Sequence, residues 1–409
     1  MRILFYIAYP QRMAGANRSL FALVANLPDD VTPVVVLAGE GEVARHFRKL
    51  GVDTRIASPP EALNQFGKAV LNWSPIRQAW EVVHSLLPYS MQLRKLISEL
   101  AIDVIHVNDI RGAFLTTGAA RLTGCPMVGH VRGEVSVPTL HRRIFERACD
   151  RIITVADSVQ KGFSAQARQK CYTVYNGINH REVVALAKNS PPVEWLQKLR
   201  DQGGVVACCF ASVVPFKGIH HLLEATALLN ASGCRQRVNV VVVGDQVPEH
   251  KDYQAWLHHR QKELAVDNFH YAGWQANPFP YYAVSDFTVL PSVSCEQLSF
   301  ADQVIEVRGG EGLPRTHLEA MCFGLPSVGT RIAGVTEQIT NGENGFVVSP
   351  SNPAELADAM RRLLSNTTLR ERMGEQARQR VLRQFSVEQY VNGVKAVYES
   401  LLSSQRRAA

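Results

Sequence analysis

No apolar run in this sequence approaches the roughly 20 residues that a membrane-spanning helix needs. None of the eight cysteines forms a C-x-x-C pair, so the usual zinc and redox signatures are missing. Reduced, buried thiols in a cytosolic protein are the expectation. No G-x-x-x-x-G-K-[ST] occurs, which excludes a P-loop enzyme. The segment after the first apolar run, "QRMAGANRSL", lacks the G-x-G-x-x-G of a dinucleotide-dependent oxidoreductase. Strips of interleaved aromatic and basic residues are also absent, so no nucleic-acid partner is expected. The opening "MRILFYIAYP" has one early Arg and no small-residue cleavage site; it reads as a buried first strand rather than a signal peptide.

What is present is a repeated alternation. Short β-branched apolar runs fall at 2–8, 33–38, 103–108, 126–131, 151–155 and 171–175, and again at 205–212, 237–244, 268–273, 286–291, 326–330 and 345–349. Longer segments of helical period separate them. Continuous apolar strands between helices predict parallel sheets covered on both faces. Two such series in 409 residues predict an α/β chain of two doubly wound, Rossmann-like domains. Prolines and glycines interrupt the pattern over 186–204, so the domains are expected at 1–185 and 186–384. The closing segment 385–409 is expected to be a helix packing back on the first domain. Ligands of open parallel sheets bind beyond the carboxyl ends of the strands, so two facing sheets would form an interdomain cleft.

Charge is unevenly placed. Residues 1–185 hold 22 Lys+Arg against 15 Asp+Glu, whereas 186–409 hold 22 of each, so the first half carries the whole net charge of +7. Such a half suits an anionic partner, or is ordinary solubility charge.

One stretch concentrates chemistry: "GGEGLPRTHLEAMCFGLPSVGT", residues 309–330. Pro314 suits the first turn of a helix, and Gly324 with Pro326 marks its end, giving a helix over about 314–323. The N–H groups at its start favour a phosphate, and Gly309, Gly310 and Gly312 let a ligand approach the backbone. Glu319, on the second turn, can accept from ribose hydroxyls. Glu311, in the loop, can accept from a sugar or face a developing positive charge. Phosphate, ribose and sugar together describe a nucleotide sugar. The bland alternative makes Glu311 a surface loop residue and Glu319 a solvated helix residue.

The longer run "EGLPRTHLEAMCFGLPSVGTRIAGVTEQITNGENGFVVSP" resembles the signature of the retaining glycosyltransferases of family 4, which have the GT-B fold. Further resemblances extend over nearly the whole chain: "PQRMAGANRSL" (10–20) to the N-terminal glycine loop, "HVRGE" (130–134) to a His-bearing strand end, "VYNGIN" (174–179) to the interdomain turn and "SVVPFKG" (212–218) to the basic loop of the donor domain. The resemblance implies a retaining transferase that takes a sugar from a nucleotide-diphosphate sugar, UDP- or GDP-linked, as co-substrate. It implies no cofactor and no metal ligands. Glu311 would hold donor-sugar hydroxyls, with Gly312, Leu313 and Pro314 lining the sugar and diphosphate. Glu319 would hold the ribose and Lys217 would neutralise the leaving diphosphate. Gly15 and Ala16 would close over the phosphates, and His130 would sit near the reacting carbon.

Two departures stand out. The family often has Arg five residues before that Lys, where this chain has Ser212; one phosphate contact is then either lost or supplied by another base such as Arg315. Residues 293–310 also intervene where the family connection is short, and they read as a loop at the cleft rim. Enzymes of this kind most often extend a lipid-linked or cell-surface glycan. The mixture of Trp, Leu and basic residues in 66–97 would suit an interfacial helix on an anionic inner leaflet, or simple domain packing. A soluble acceptor and a non-catalytic sugar-binding relative are the alternatives.

Overall fold

The computed structural model describes residues 1–64, 74, 80, 82–135, 139–234, 236–300 and 303–408. Two compact units emerge: residues 1–177 with 387–409, and residues 178–386. The division falls at Gly177/Ile178, ahead of the expected boundary, because helix His180–Lys188 belongs with the second unit.

The first unit is built on seven parallel strands: β1 (Arg2–Ile7), β2 (Thr32–Leu37), β3 (Asp53–Ile56), β4 (Val104–Val107), β5 (Met127–Val131), β6 (Arg151–Thr154) and β7 (Cys171–Thr173). Their order is β3-β2-β1-β4-β5-β6-β7. Strands β1 and β4 are buried almost throughout, as a sheet covered on both faces requires. β3, "DTRI", escaped the reading of apolar runs because it is a short edge strand with an alternating, half-exposed pattern. Helix Val387–Ala408 completes this core. Val387, Tyr390, Val391, Val394, Val397, Tyr398 and Leu401, at helical spacing, join Phe5, Leu20, Val104 and Val128 in one cluster.

The second unit has six parallel strands: β8 (Val205–Phe210), β9 (Val238–Val243), β10 (Phe269–Gly273), β11 (Phe287–Leu290), β14 (Ser327–Thr330) and β15 (Gly345–Val348), in the order β10-β9-β8-β11-β14-β15. Between β11 and β14 the chain leaves the sheet as an antiparallel hairpin, β12 (Cys295–Phe300) with β13 (Gln303–Arg308). The stretch expected as a rim loop is therefore regular structure. Leu298, Phe300 and Val307 turn inward to the domain core, while the opposite face, with Gln297 and Ser299, stays exposed.

Among the described residues no helix is long and apolar enough to cross a membrane. The eight cysteines are all free; Cys149, Cys208, Cys209 and Cys322 are buried, but Cys295 on the hairpin is exposed, against the expectation of buried thiols.

Candidate active site

In the second sheet the strand order reverses between β8 and β11, the switch point where open α/β sheets bind ligands. Two loops leave the carboxyl ends of these strands. The loop after β8 ends in a 3-10 turn, Pro215–Lys217, and Val293 N–H donates to Phe216 O at 2.8 Å, fastening it to the loop after β11. The hairpin then begins, and Gly309 N–H donates to Ser294 O at 3.1 Å to close its stem. Gly309 sits where a Cβ would lie 2.4 Å from the Phe216 ring, so only glycine permits this closure. Because the inserted residues form a closed stem, Ser292 and Glu311 meet directly, with Ser292 Oγ donating to Glu311 Oε1 at 2.7 Å. Lys217 Nζ lies 2.5 Å from the same oxygen. Glu311, which the sequence leaves in a loop, is 9% exposed and held by an ammonium and a hydroxyl.

Behind Glu311 the chain enters helix Arg315–Cys322. Pro314 stands at the N-cap, one position before the expected first turn, and no side chain caps the helix. Its first N–H groups are therefore available to an anion. The approach, Gly312–Leu313–Pro314, is buried and buttressed from below. Gly334 has φ +75°, and a Cβ there would fall 1.5 Å from Gly312 O. Gln338 Nε2 donates to Pro314 O at 2.9 Å.

Glu319 faces back along this helix. Its Oε2 accepts from Tyr282 OH at 2.9 Å, and its Oε1 lies 3.5 Å from Arg315 Nε. At 5% exposure it is no solvated helix residue. Tyr282 is stacked against Phe210, centroids 3.5 Å apart, and lies parallel to Phe323 at 5.6 Å. Arg315 Nε and Nη1 are buried with no hydrogen-bond partner among the described residues. Buried guanidinium donors left in that state are predisposed to an anionic ligand. Ser212 is half-buried in the loop after β8, and its carbonyl accepts from Val214 N–H at 2.9 Å.

His317 also belongs to this site. It is buried, and burial pushes its pKa down to about 4, with the Lys217 charge lowering it further and Glu311 opposing. It is neutral at physiological pH. Ser292, Tyr282 and His317 were missed in the sequence. His317 alone had a signal, its place inside the 309–330 stretch; the other two reach the site only through folding.

The remaining expected residues lie in the first unit. Gly15 and Ala16 open helix Gly15–Ala25, exposed and without a side-chain cap. Asn17 Nδ2 holds the preceding loop by donating to Tyr9 O at 3.0 Å and Arg12 O at 2.9 Å. His130 is different. It is 0% exposed, inside β5, with Nδ1 3.3 Å from His106 Nε2 and its ring against Tyr390. Its surroundings within the first unit are His106 and Tyr390. Two residues on, just past the end of β5, Arg132 donates to Asn108 Oδ1 and Asn176 Oδ1, both at 2.8 Å, and to Tyr390 OH at 2.7 Å. Its Nη2 is buried with no hydrogen-bond partner among the described residues. At the carboxyl end of a strand, Arg132 is the better-placed polar group of "HVRGE".

Two doubly wound sheets of parallel strands define the GT-B architecture. Two family models account for most of the chain, Glycosyltransferase Family 4 over residues 14–182 and Glycosyl transferases group 1 over residues 195–380, and the chain belongs to this family. Among curated relatives, N-acetyl-alpha-D-glucosaminyl L-malate synthase of Bacillus anthracis is 32% identical over 27% of this chain and 29% of its own length. The capsular polysaccharide biosynthesis glycosyltransferase CapM of Staphylococcus aureus is 24% identical over 46% of this chain and 44% of its own. The matched segments thus span less than half of either relative. Anabaena HepE, crystallised with UDP, superposes with a TM-score of 0.78 at 21% identity, covering 98% of this chain and all of that one.

Proposed function

We propose that this chain is a retaining glycosyltransferase that moves a sugar from a UDP- or GDP-sugar to a hydroxyl of a lipid-linked or cell-surface glycan intermediate. The observation that carries this reading is the Lys217–Glu311–Ser292 cluster beside the uncapped start of helix Arg315–Cys322. A diphosphate arriving there meets the helix N–H groups, Lys217 and the Arg315 guanidinium, which is ion-paired to Glu319 through Nε and makes no hydrogen bond at Nη1 among the described residues. Those same groups stabilise the charge that grows on the diphosphate as the glycosidic bond breaks. Arg315 compensates for Ser212 standing where the family often has a cation. Glu311, displaced from Lys217 by the phosphate, takes the sugar hydroxyls, and Glu319 takes the ribose. In the front-face departure that family resemblance implies, the leaving phosphate itself accepts the acceptor proton. Retention then needs no enzymic nucleophile, and a buried His130 is compatible with it.

UDP and UDP-glucose bound to HepE support a uridine donor. The name of CapM supports a polysaccharide acceptor. An exposed apolar row in the first unit, Trp80 (60% exposed), Val83, Leu87 and Met91, supports contact with an anionic membrane face. Residues 66–73, 75–79 and 81 of that 66–97 stretch lie outside the described residues. The B. anthracis relative favours a second reading, a small soluble acceptor. Pelleting with anionic vesicles separates the two; failure to pellet at any salt concentration removes the membrane reading.

Thermal-shift titration with UDP-, GDP-, ADP- and dTDP-sugars tests the donor site. Selective stabilisation by one base, weakened in Glu319→Ala, is the expected result. No stabilisation by any of them would favour a non-catalytic relative. Lys217 and the helix start do the work that a divalent cation does elsewhere at a diphosphate. Added Mg²⁺ or Mn²⁺ is therefore expected to change the transfer rate by less than about twofold, and a strict requirement would refute this.

A further inference from the structure

Beside the donor site, and unused by it, two histidines and a glutamate converge. His220 and His221 lie in the first turn of helix Ile219–Ala231, immediately after Lys217 and Gly218, while Glu296 is on β12 of the inserted hairpin. His220 Nε2 is 2.9 Å from Glu296 Oε1, and His221 Nε2 is 2.8 Å from Glu296 Oε2. One nitrogen or oxygen from each of the three lies within 4.8 Å of the others. We propose that His220, His221 and Glu296 bind a divalent transition-metal ion of the zinc class, which pins the hairpin to the helix behind Lys217.

Three observations carry this. The first is an unpartnered buried group. His220 is 3% exposed, yet its Nε2 and the facing Glu296 Oε1 make no aligned hydrogen bond, and neither has another hydrogen-bond partner among the described residues. Two lone-pair donors facing each other in that way are satisfied by a shared proton at this spacing, or by a metal ion once they open to the roughly 3.3 Å that two bonds of about 2.0 Å at a tetrahedral angle require. The second is the outer shell. Tyr253 OH lies 2.9 Å from His220 Nδ1, and Ser351 Oγ donates to Glu296 Oε2 at 2.6 Å. Metal-binding imidazoles and carboxylates are held by partners of this kind, which fix the ring so that the other nitrogen faces the ion. The third is the ligand set. Two imidazoles and a carboxylate suit zinc and its neighbours, whereas Mg²⁺ and Ca²⁺ prefer oxygen alone. A water would complete four-coordination.

No local pattern flags this cluster, because Glu296 is 75 residues from His221 and its segment read as a loop. The ion is distinct from the diphosphate chemistry. It tethers the hairpin that Ser292 and Glu311 flank, and so holds one wall of the donor site.

The test uses the untagged full chain, stripped with chelator and titrated with Co²⁺ in the absence of any sugar donor, so that the donor reading stands or falls separately. One equivalent of Co²⁺ is expected to give the visible absorption of a low-coordinate site, and Zn²⁺ should displace it. Glu296→Gln and His221→Ala should each weaken Co²⁺ binding at least about tenfold, and Tyr253→Phe by about 10–100-fold through the outer shell. Circular dichroism without metal should match wild type in the variants used. Absence of a one-equivalent visible band in the wild type, or unchanged affinity in folded Glu296→Gln, would overturn the proposal.

Discussion

Glu311 and Lys217 form one unit, and their variants should fail in different ways. If Glu311 takes the sugar hydroxyls as proposed, Glu311→Ala removes that acceptor while leaving the anion-binding groups in place. Transfer should fall by at least about 10²-fold with a much smaller change in nucleoside-diphosphate affinity, measured by steady-state rates and calorimetry. Equal losses in both would refute the division of roles. If Lys217 contacts the phosphate as proposed, Lys217→Ala removes a charge-assisted contact and should weaken diphosphate binding about 10- to 100-fold; unchanged affinity would show that the lysine serves only Glu311. These two residues and Glu319 were legible in the sequence because local signals flank them: glycines, a proline at a helix start, a basic turn. Ser292 and Tyr282 carry no such flag. They act through side chains that tertiary structure delivers across 19 and 37 residues. His130 is a different case. The sequence places this histidine near a strand end; in the structure it is buried within the sheet, and the residue past the end, Arg132, reaches the polar surroundings.

The short elements around the site depend on close backbone contact. Helix Arg315–Cys322 starts where it does because Gly312–Pro314 rests on Gly334 and Gln338. Gly334→Ala forces a Cβ into the Gly312 carbonyl at a left-handed φ, so the loop must move. A loss of at least about 2 kcal/mol of stability is expected, together with weakened donor binding. Urea denaturation and thermal shift with the donor measure the two effects; a stable variant with normal binding would show the loop to be compliant. The strands of both sheets were readable because their apolar runs are continuous, a property of central parallel strands. The edge strand β3 and the hairpin alternate instead, and half-exposed alternation broken by polar residues is hard to tell from a loop.

For the molecule as a whole, helix Val387–Ala408 brings a buried relay into the first domain. Tyr398 OH lies 2.6 Å from His106 Nδ1, and His106 Nε2 is 3.3 Å from His130 Nδ1. Tyr398 stays protonated because burial pushes its pKa far up, so it donates to His106, and His106 in turn donates to His130. Burial, aided by the Arg132 charge, holds both imidazoles well below their ordinary pKa of 6.5. The sign follows. Above about pH 6.5 both rings are neutral, folded or unfolded, and impose no penalty. Below it the unfolded chain takes up protons that the folded chain refuses, so stability falls with pH, by at most about 1.4 kcal/mol per unit for each ring. Urea midpoints between pH 7.5 and 5 should fall in wild type and fall less in His106→Gln. Parallel slopes would place the acid sensitivity elsewhere.

The partition of the chain between the two units also bears on its synthesis. Residues 178–386 form one unbroken stretch, whereas the first domain is assembled from both ends of the chain. On a ribosome the second domain is complete in sequence while the first still lacks the helix that covers Phe5, Leu20 and Val104. The domain translated first is thus the last to close its core. Until residue 401 emerges, its apolar sheet face is the surface that chaperones must guard.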